Sequence, residues 1–77
     1  MKVYEKYSNR YVTYEYYMLL QNILWTIGTD RLEYDTKCKC YYTHNFSIRV
    51  SNKRAIATPF TKDNYCYIVK SPDVYEN

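Results

Sequence analysis

Apolar residues recur at helical spacing along one segment near the start of the chain. The stripe consists of Val12, Tyr16, Leu20, Ile23, Leu24 and Ile27. This spacing predicts an amphipathic helix of about four turns. Gly28 follows the last apolar position, where a left-handed glycine commonly ends a helix. The beginning of the helix is less clearly marked, because residues 10–17 are rich in Tyr and Thr and also fit a strand paired with an earlier one.

After residue 30 the period changes to two, which is typical of strands. Even positions from Leu32 to Val50 are mostly apolar and odd positions mostly charged or polar, so we expect a sheet covered on one face. Breaks are predicted near residues 35–36 and 43–45. A turn at 51–54 then leads into a strand over 55–58 that ends at Pro59, and a turn at 62–64 precedes a last strand over 65–70.

The summed prediction is an α+β fold in which one amphipathic helix packs on a three- to five-stranded, mainly antiparallel sheet, in two layers. Residues 2–7 alternate and predict an edge strand that ends at Ser8 and Asn9. With a single glycine in the chain, Asn9, Asn52 and Asn64 are the expected positive-φ residues. Residues 71–77 are predicted to be a frayed tail of this one domain, which spans residues 1–77.

Composition limits the classes of function. With 77 residues, 47% of them hydrophobic, the chain can form one small domain, but it leaves little material for a deep catalytic cleft. Twelve residues are Tyr, against two Phe and one Trp. Tyrosine can fill half-buried core positions, and it is also enriched in binding surfaces.

The chain shows no apolar stretch that predicts a signal peptide or a membrane span. Its three cysteines are an odd number, whereas small secreted domains usually carry four or six. We therefore expect a cytoplasmic protein inside a host cell, with no membrane partner.

Positive charge is concentrated in the sheet half of the chain. Residues 37–70 hold seven Lys or Arg against one Asp, whereas residues 1–36 hold four against five Asp or Glu. The face formed by odd-numbered positions, with its adjoining turn, is predicted to carry five basic residues and one aromatic. These are Lys37, Lys39, Tyr41, Arg49, Lys53 and Arg54. Such a face suits single-stranded RNA or DNA, although an ordinary solvated face has the same pattern.

A weak metal-ligand set consists of Cys38, Cys40, His44 and Cys66. Three thiolates and one imidazole can hold zinc, but this spacing is not that of a zinc knuckle. The favoured interpretation is that the cysteines are core filler and His44 a half-buried packing residue, so no metal, cofactor or catalytic residue is expected. A disulfide from Cys66 to Cys38 or Cys40 is the remaining alternative.

Trp25 lies off the apolar stripe of the helix, on the same side as Met18. These two residues predict an exposed apolar spot of the kind that partner proteins contact. The alternative is that Trp25 covers the edge of the sheet.

In length and Tyr- and Asn-rich composition, the chain resembles short single-domain proteins of phages and other viruses, many of which bind and block one host component. The expected function is therefore non-enzymatic binding and inhibition of a host macromolecule, a host protein or complex above all. The expected contacts are Met18, Trp25, Tyr41, Arg49, Lys53 and Arg54. Single-stranded nucleic-acid binding is the alternative, and a homodimer is expected because so small a core gains from pairing.

Overall fold

The fold was established from a computed structural model that describes residues 1–71. Strands β1 (Lys2–Glu5) and β2 (Arg10–Thr13) form an antiparallel hairpin, and helix α1 (Tyr14–Ile27) follows directly. Five further strands form an antiparallel sheet in chain order: β3 (Glu33–Asp35), β4 (Cys40–Tyr42), β5 (Phe46–Val50), β6 (Arg54–Pro59) and β7 (Tyr67–Lys70). The predicted α+β class is confirmed, with a small two-stranded sheet in addition to the main one. The predicted tail lies, apart from residue 71, outside the described residues.

The helix packs on one face of the five-stranded sheet, which we call the inner face. From the helix, Leu19, Leu20, Ile23 and Leu24 are buried. From the sheet, the buried apolar side chains of this core are Tyr41, Phe46, Ile48, Ala55, Ala57 and Val69. The small alanines of β6 let the helix approach the centre of the sheet closely, since they add little height to its surface. Among residues 1–71, the opposite outer face has no helix packed on it.

The helix begins later than the periodicity predicts. Thr13 caps it, because its side-chain oxygen accepts a hydrogen bond from the Tyr16 backbone N–H at 3.1 Å. Val12, which matches the helical spacing, lies in β2 and is buried there. Residues 10–13 therefore follow the alternative of a strand paired with the first one, and the helical prediction is wrong for them.

The helix ends as predicted. Gly28 adopts φ 75° and its N–H donates to the carbonyls of Leu24 and Trp25. Apart from Gly28 and its two chain neighbours, no heavy atom would lie within 4 Å of a β-carbon at this position. Any cost of substitution therefore comes from the left-handed backbone and not from a clash.

We expect Gly28→Ala to lower the free energy of unfolding by about 1 kcal/mol, because alanine tolerates the left-handed region poorly. Gly28→Asn is the matched variant, and it should lose less, since asparagine visits that region more readily. Urea denaturation of the three proteins measures the difference. Equal losses for Ala and Asn would contradict the backbone explanation.

The alternation predicted for residues 32–50 is wrong across the turns. Asp35 pairs with Cys40 and Tyr42 pairs with Ser47. Cross-strand partners point to the same face, so even positions face inward in β3, odd positions in β4, and even positions again in β5. Tyr41, expected on the exposed face, is therefore fully buried, whereas Tyr42 lies on the outer face.

Left-handed residues also differ in part from the prediction. Asn9 has φ 54°, as expected from the turn between β1 and β2, and the second non-glycine residue with positive φ in the described part is Lys39, at 56°. Asn52 and Asn64 are not among them. Lys39 lies in the turn that changes the inward parity between β3 and β4, so a strained residue accompanies this change of face.

Candidate functional site

Basic side chains gather at one end of the main sheet. The turn between β3 and β4 and the turn between β5 and β6 lie at the same end, because the three intervening pairings are antiparallel. This topology brings together the exposed cations of both turns and of the adjacent strands, namely Lys37, Lys39, Arg49, Lys53 and Arg54. We call these five residues the basic end.

Three members of the basic end surround one shallow depression. Lys39, Arg49 and Arg54 line a space of about 470 Å³ together with Cys38, Val50, Ser51 and Ile56. The Ile56 side chain lies on the outer face, whereas that of Val50 packs against the core. Arg49 and Ile56 are cross-strand partners on the outer face. The depression thus combines three cations with the apolar side chain of Ile56, and this side chain lets a partner bury apolar surface while its negative charges meet the cations.

Tyr41 is not part of this surface, which corrects its assignment as a contact residue for a protein or for nucleic acid. Its side chain points into the core and packs on the Tyr34 ring, with the ring centroids 4.7 Å apart. Its hydroxyl donates to the Glu5 carboxylate at 2.6 Å. Burial first, and then the hydrogen bonds to Glu5 and Tyr16, raise the pKa of Tyr41 far above its usual range.

The aromatic ring on the outer face belongs to Tyr42, and its neighbours are acidic. Glu33 is its cross-strand partner on β3, and Asp35 lies on the same strand. Repulsion from the Glu33 carboxylate is the main cause that raises the pKa of Tyr42, and Asp35 adds to it. The outer face therefore carries carboxylates at its β3 edge and cations on β5 and β6, so its charge is not uniform.

The four proposed metal ligands do not form a site. Cys40 is buried at the start of β4, whereas Cys38, His44 and Cys66 are exposed in turns and loops. Within residues 1–71 no group of three His, Cys, Asp or Glu side chains is placed to hold a metal ion. Cys40 is buried, but it lies on the outer face and outside the hydrophobic cluster beneath the helix, and the expectation that His44 is half-buried is wrong.

Cys38 and Cys40 are nevertheless neighbours. A hydrogen bond with the Cys40 thiol is the main cause that raises the pKa of the Cys38 thiol. All three cysteines are free in this structure. The disulfide suggested from Cys66 is therefore not formed in it.

Trp25 and Met18 occupy different environments. The Trp25 side chain is 64% exposed beside Gly28 and Thr29, which line a shallow depression with it. Met18 is half-buried and packs against the core. Trp25 therefore offers a contact surface without Met18, and it lies in the helix layer, whereas Arg49 lies on the outer face of the sheet. The structure does not bring these two predicted contacts together.

Sequence reasoning missed a buried polar cluster where the hairpin meets the helix and the sheet. Glu5 is 1% exposed, and its carboxylate accepts hydrogen bonds from the backbone N–H groups of Tyr7 and Ser8, from the Ser8 hydroxyl and from Tyr41. Arg10 donates to the hydroxyls of Tyr16 and Tyr41 and lies over the ring of Tyr34. The signal was present in β1, because alternation places Glu5 on the same face as Val3.

No helix in the described residues is long and apolar enough to cross a membrane. No protein-family model, curated protein or solved structure matches the chain. The function therefore has to be inferred from the surfaces of residues 1–71.

Proposed function

We propose that the protein is a non-enzymatic binding protein, of the kind encoded by phages, viruses or mobile elements, that binds and inhibits a host protein with an acidic surface. The observation that carries the proposal is the depression that Lys39, Arg49 and Arg54 line together with the apolar side chain of Ile56. Inhibition would consist of covering that acidic surface, which requires no chemistry from the chain. A site of action inside the host cell belongs to the same proposal.

An acidic protein surface fits the outer face better than a nucleic acid does. A polynucleotide presents negative phosphates along its whole length, so a strand crossing the sheet from β6 to β3 would meet Glu33 and Asp35 after leaving the cations. Its bases would also need flat rings to stack on. Tyr41 is buried, and Tyr42 lies beside the two carboxylates. A protein partner can instead place a basic group opposite the β3 edge.

Charge reversal tests where the partner binds. We expect Arg49→Glu combined with Arg54→Glu to weaken binding of a fluorescein-labelled decaglutamate peptide at least tenfold, or about 1.4 kcal/mol for that factor, because two cations of the depression become anions. The matched control is Lys62→Glu in the loop between β6 and β7, an exposed residue at the opposite end of the sheet. Fluorescence anisotropy at low and physiological salt measures all three affinities.

The loss of peptide affinity is compared per reversed charge between the double variant and the Lys62→Glu control. Equal losses would show only a general effect of net charge and would refute the depression as the site. Labelled single-stranded oligonucleotides form a second arm of the same titration. Oligonucleotide binding tighter than peptide binding, and falling steeply with salt, would favour the nucleic-acid function instead. The homodimer expected from the sequence stays a prediction.

A further inference from the structure

A second groove, remote from the basic end, lies between the hairpin and the helix. It has a volume of about 280 Å³, and three tyrosines line it, Tyr4, Tyr7 and Tyr17. The remaining lining residues are Glu5, Lys6, Leu20, Gln21 and Asp30. Tyrosines of the hairpin and of the helix thus border one space.

Two of the rings are held in place by their hydroxyl groups. Tyr4 donates to the Asn9 side-chain oxygen at 2.7 Å and packs edge-on against Tyr11, with centroids 5.3 Å apart. Tyr7 donates to the Asp30 carbonyl at 2.7 Å, which ties the hairpin to the segment after the helix. Rings fixed in this way lose little conformational freedom when a ligand binds.

The charges exposed along the groove balance each other. Asp30 and Lys6 are exposed there, whereas the Glu5 carboxylate is buried among its hydrogen-bond donors. The faces of aromatic rings are themselves electronegative and attract cations. A cation is therefore favoured in this groove over an anion.

The chain's own lysine already makes one such contact. The Lys6 ammonium nitrogen lies 5.3 Å from the centroid of the Tyr7 ring. A lysine ammonium is strongly hydrated, and ring faces give its N–H groups only weak acceptors. A methylated ammonium carries the same charge but is less strongly hydrated, so it can replace Lys6 over the ring at a lower cost in hydration free energy.

We propose that this groove binds a quaternary ammonium group, over which Tyr4, Tyr7 and Tyr17 form an aromatic cage and which displaces Lys6 from the Tyr7 ring. The source of the group is a small molecule of the choline class or a methylated lysine of a peptide. Both sources present the same trimethylammonium head. The site is independent of the function proposed for the basic end.

Choline and its neutral isostere 3,3-dimethylbutan-1-ol test the inference directly. They have nearly the same shape but differ in charge, so a cation site should bind choline at least about threefold more tightly. Chemical shifts of the tyrosine ring signals during NMR titration of the full chain measure both affinities. Equal affinity for the two compounds, or no shift of the three rings with choline, would overturn the proposal.

Variants locate the site and test the role of Lys6. We expect Lys6→Met to tighten choline binding, because this change removes the resident cation and keeps an apolar side chain. We expect Tyr17→Leu to weaken choline binding about threefold. Tyr14→Leu is the matched control, because Tyr14 is an exposed tyrosine of the same helix outside the groove. Weakening by Lys6→Met, or equal effects of the two tyrosine variants, would contradict the assignment.

A peptide arm distinguishes the two sources of the head group. A short peptide with trimethyllysine is titrated beside the same peptide with unmodified lysine. Tighter binding of the methylated peptide than of choline would assign the groove to peptides, and equal affinity would assign it to the head group alone. A preference for the unmodified peptide would overturn the proposal.

Discussion

Glu5→Ala is expected to lower the free energy of unfolding by about 3 kcal/mol, because it leaves several buried donors without an acceptor. The Glu5 carboxylate is 1% exposed and accepts hydrogen bonds from Tyr7, Ser8 and Tyr41. These bonds hold the turn after β1 and join the hairpin to the main sheet. For a domain of this size, whose total stability is of the order of 4–12 kcal/mol, the loss is a large fraction.

Glu5→Gln keeps the shape and offers one oxygen acceptor, but its NH₂ group faces N–H and O–H donors. We expect a loss of about 2 kcal/mol for this variant, which remains measurable if the alanine variant does not fold. Asp63→Asn, in the exposed loop between β6 and β7, is the control and should stay within about 0.5 kcal/mol. Urea unfolding followed by circular dichroism measures all three. A Glu5→Gln protein as stable as the control would contradict the role of the cluster.

The second large effect concerns alkaline pH. Burial raises the pKa of Tyr41 above that of a free tyrosine, whereas the same side chain ionises near pH 10 in the unfolded chain. The folded state therefore binds the proton more tightly than the unfolded state does. The stability from this difference is fully present below about pH 10 and is lost as pH rises beyond it, by about 1.4 kcal/mol at pH 11.

Tyr41→Phe separates this contribution from those of the other tyrosines. At neutral pH we expect the variant to be about 1–2 kcal/mol less stable, because Glu5 loses one donor. Above pH 10 the stability difference between wild type and variant should shrink, since only the wild type carries the Tyr41 hydroxyl. Urea midpoints at intervals between pH 8 and pH 11 measure the difference. Parallel losses in the two proteins would contradict the assignment to Tyr41.

Local signals in the sequence were enough to place most elements. The apolar stripe and Gly28 located the helix and its end, and clusters of turn-forming residues located the breaks between strands. The start of the helix was ambiguous, because Val12 satisfies the helical spacing and also the alternation of a strand. The pairing of β1 with β2 decides this ambiguity, and a pairing between two segments is not visible in either one alone.

The face on which each strand residue lies could not be predicted from alternation alone. Four residues separate the cross-strand partners on each side of β4, Asp35 from Cys40 and Tyr42 from Ser47. Each turn therefore changes the inward positions between even and odd numbers. When the alternation of β3 is extended through the turn without this change, Tyr41 is assigned to the exposed face. The same rule applied within β1 would have placed Glu5 beside Val3 on a buried face, but a lone carboxylate favours the assumption of exposure.

The basic end could be predicted in composition but not in arrangement. The residues that form it were recognised from the charge distribution, and exposure is observed for Lys37, Lys39, Arg49, Lys53 and Arg54. Their convergence depends on two turns lying at the same end of an antiparallel sheet. The acidic β3 edge on the same face, which favours a protein partner over a polynucleotide, also became visible only with the strand order.

Residue-level NMR mapping tests most directly whether the outer face at the basic end binds an acidic protein surface. Amide signals of the ¹⁵N-labelled chain are followed during titration with the decaglutamate peptide at physiological salt. The proposal predicts the largest shifts at residues 37–40 and 49–56, with helix residues 14–27 unchanged. Shifts spread evenly over exposed lysines, including Lys2 and Lys62, or no shifts at all, would contradict it.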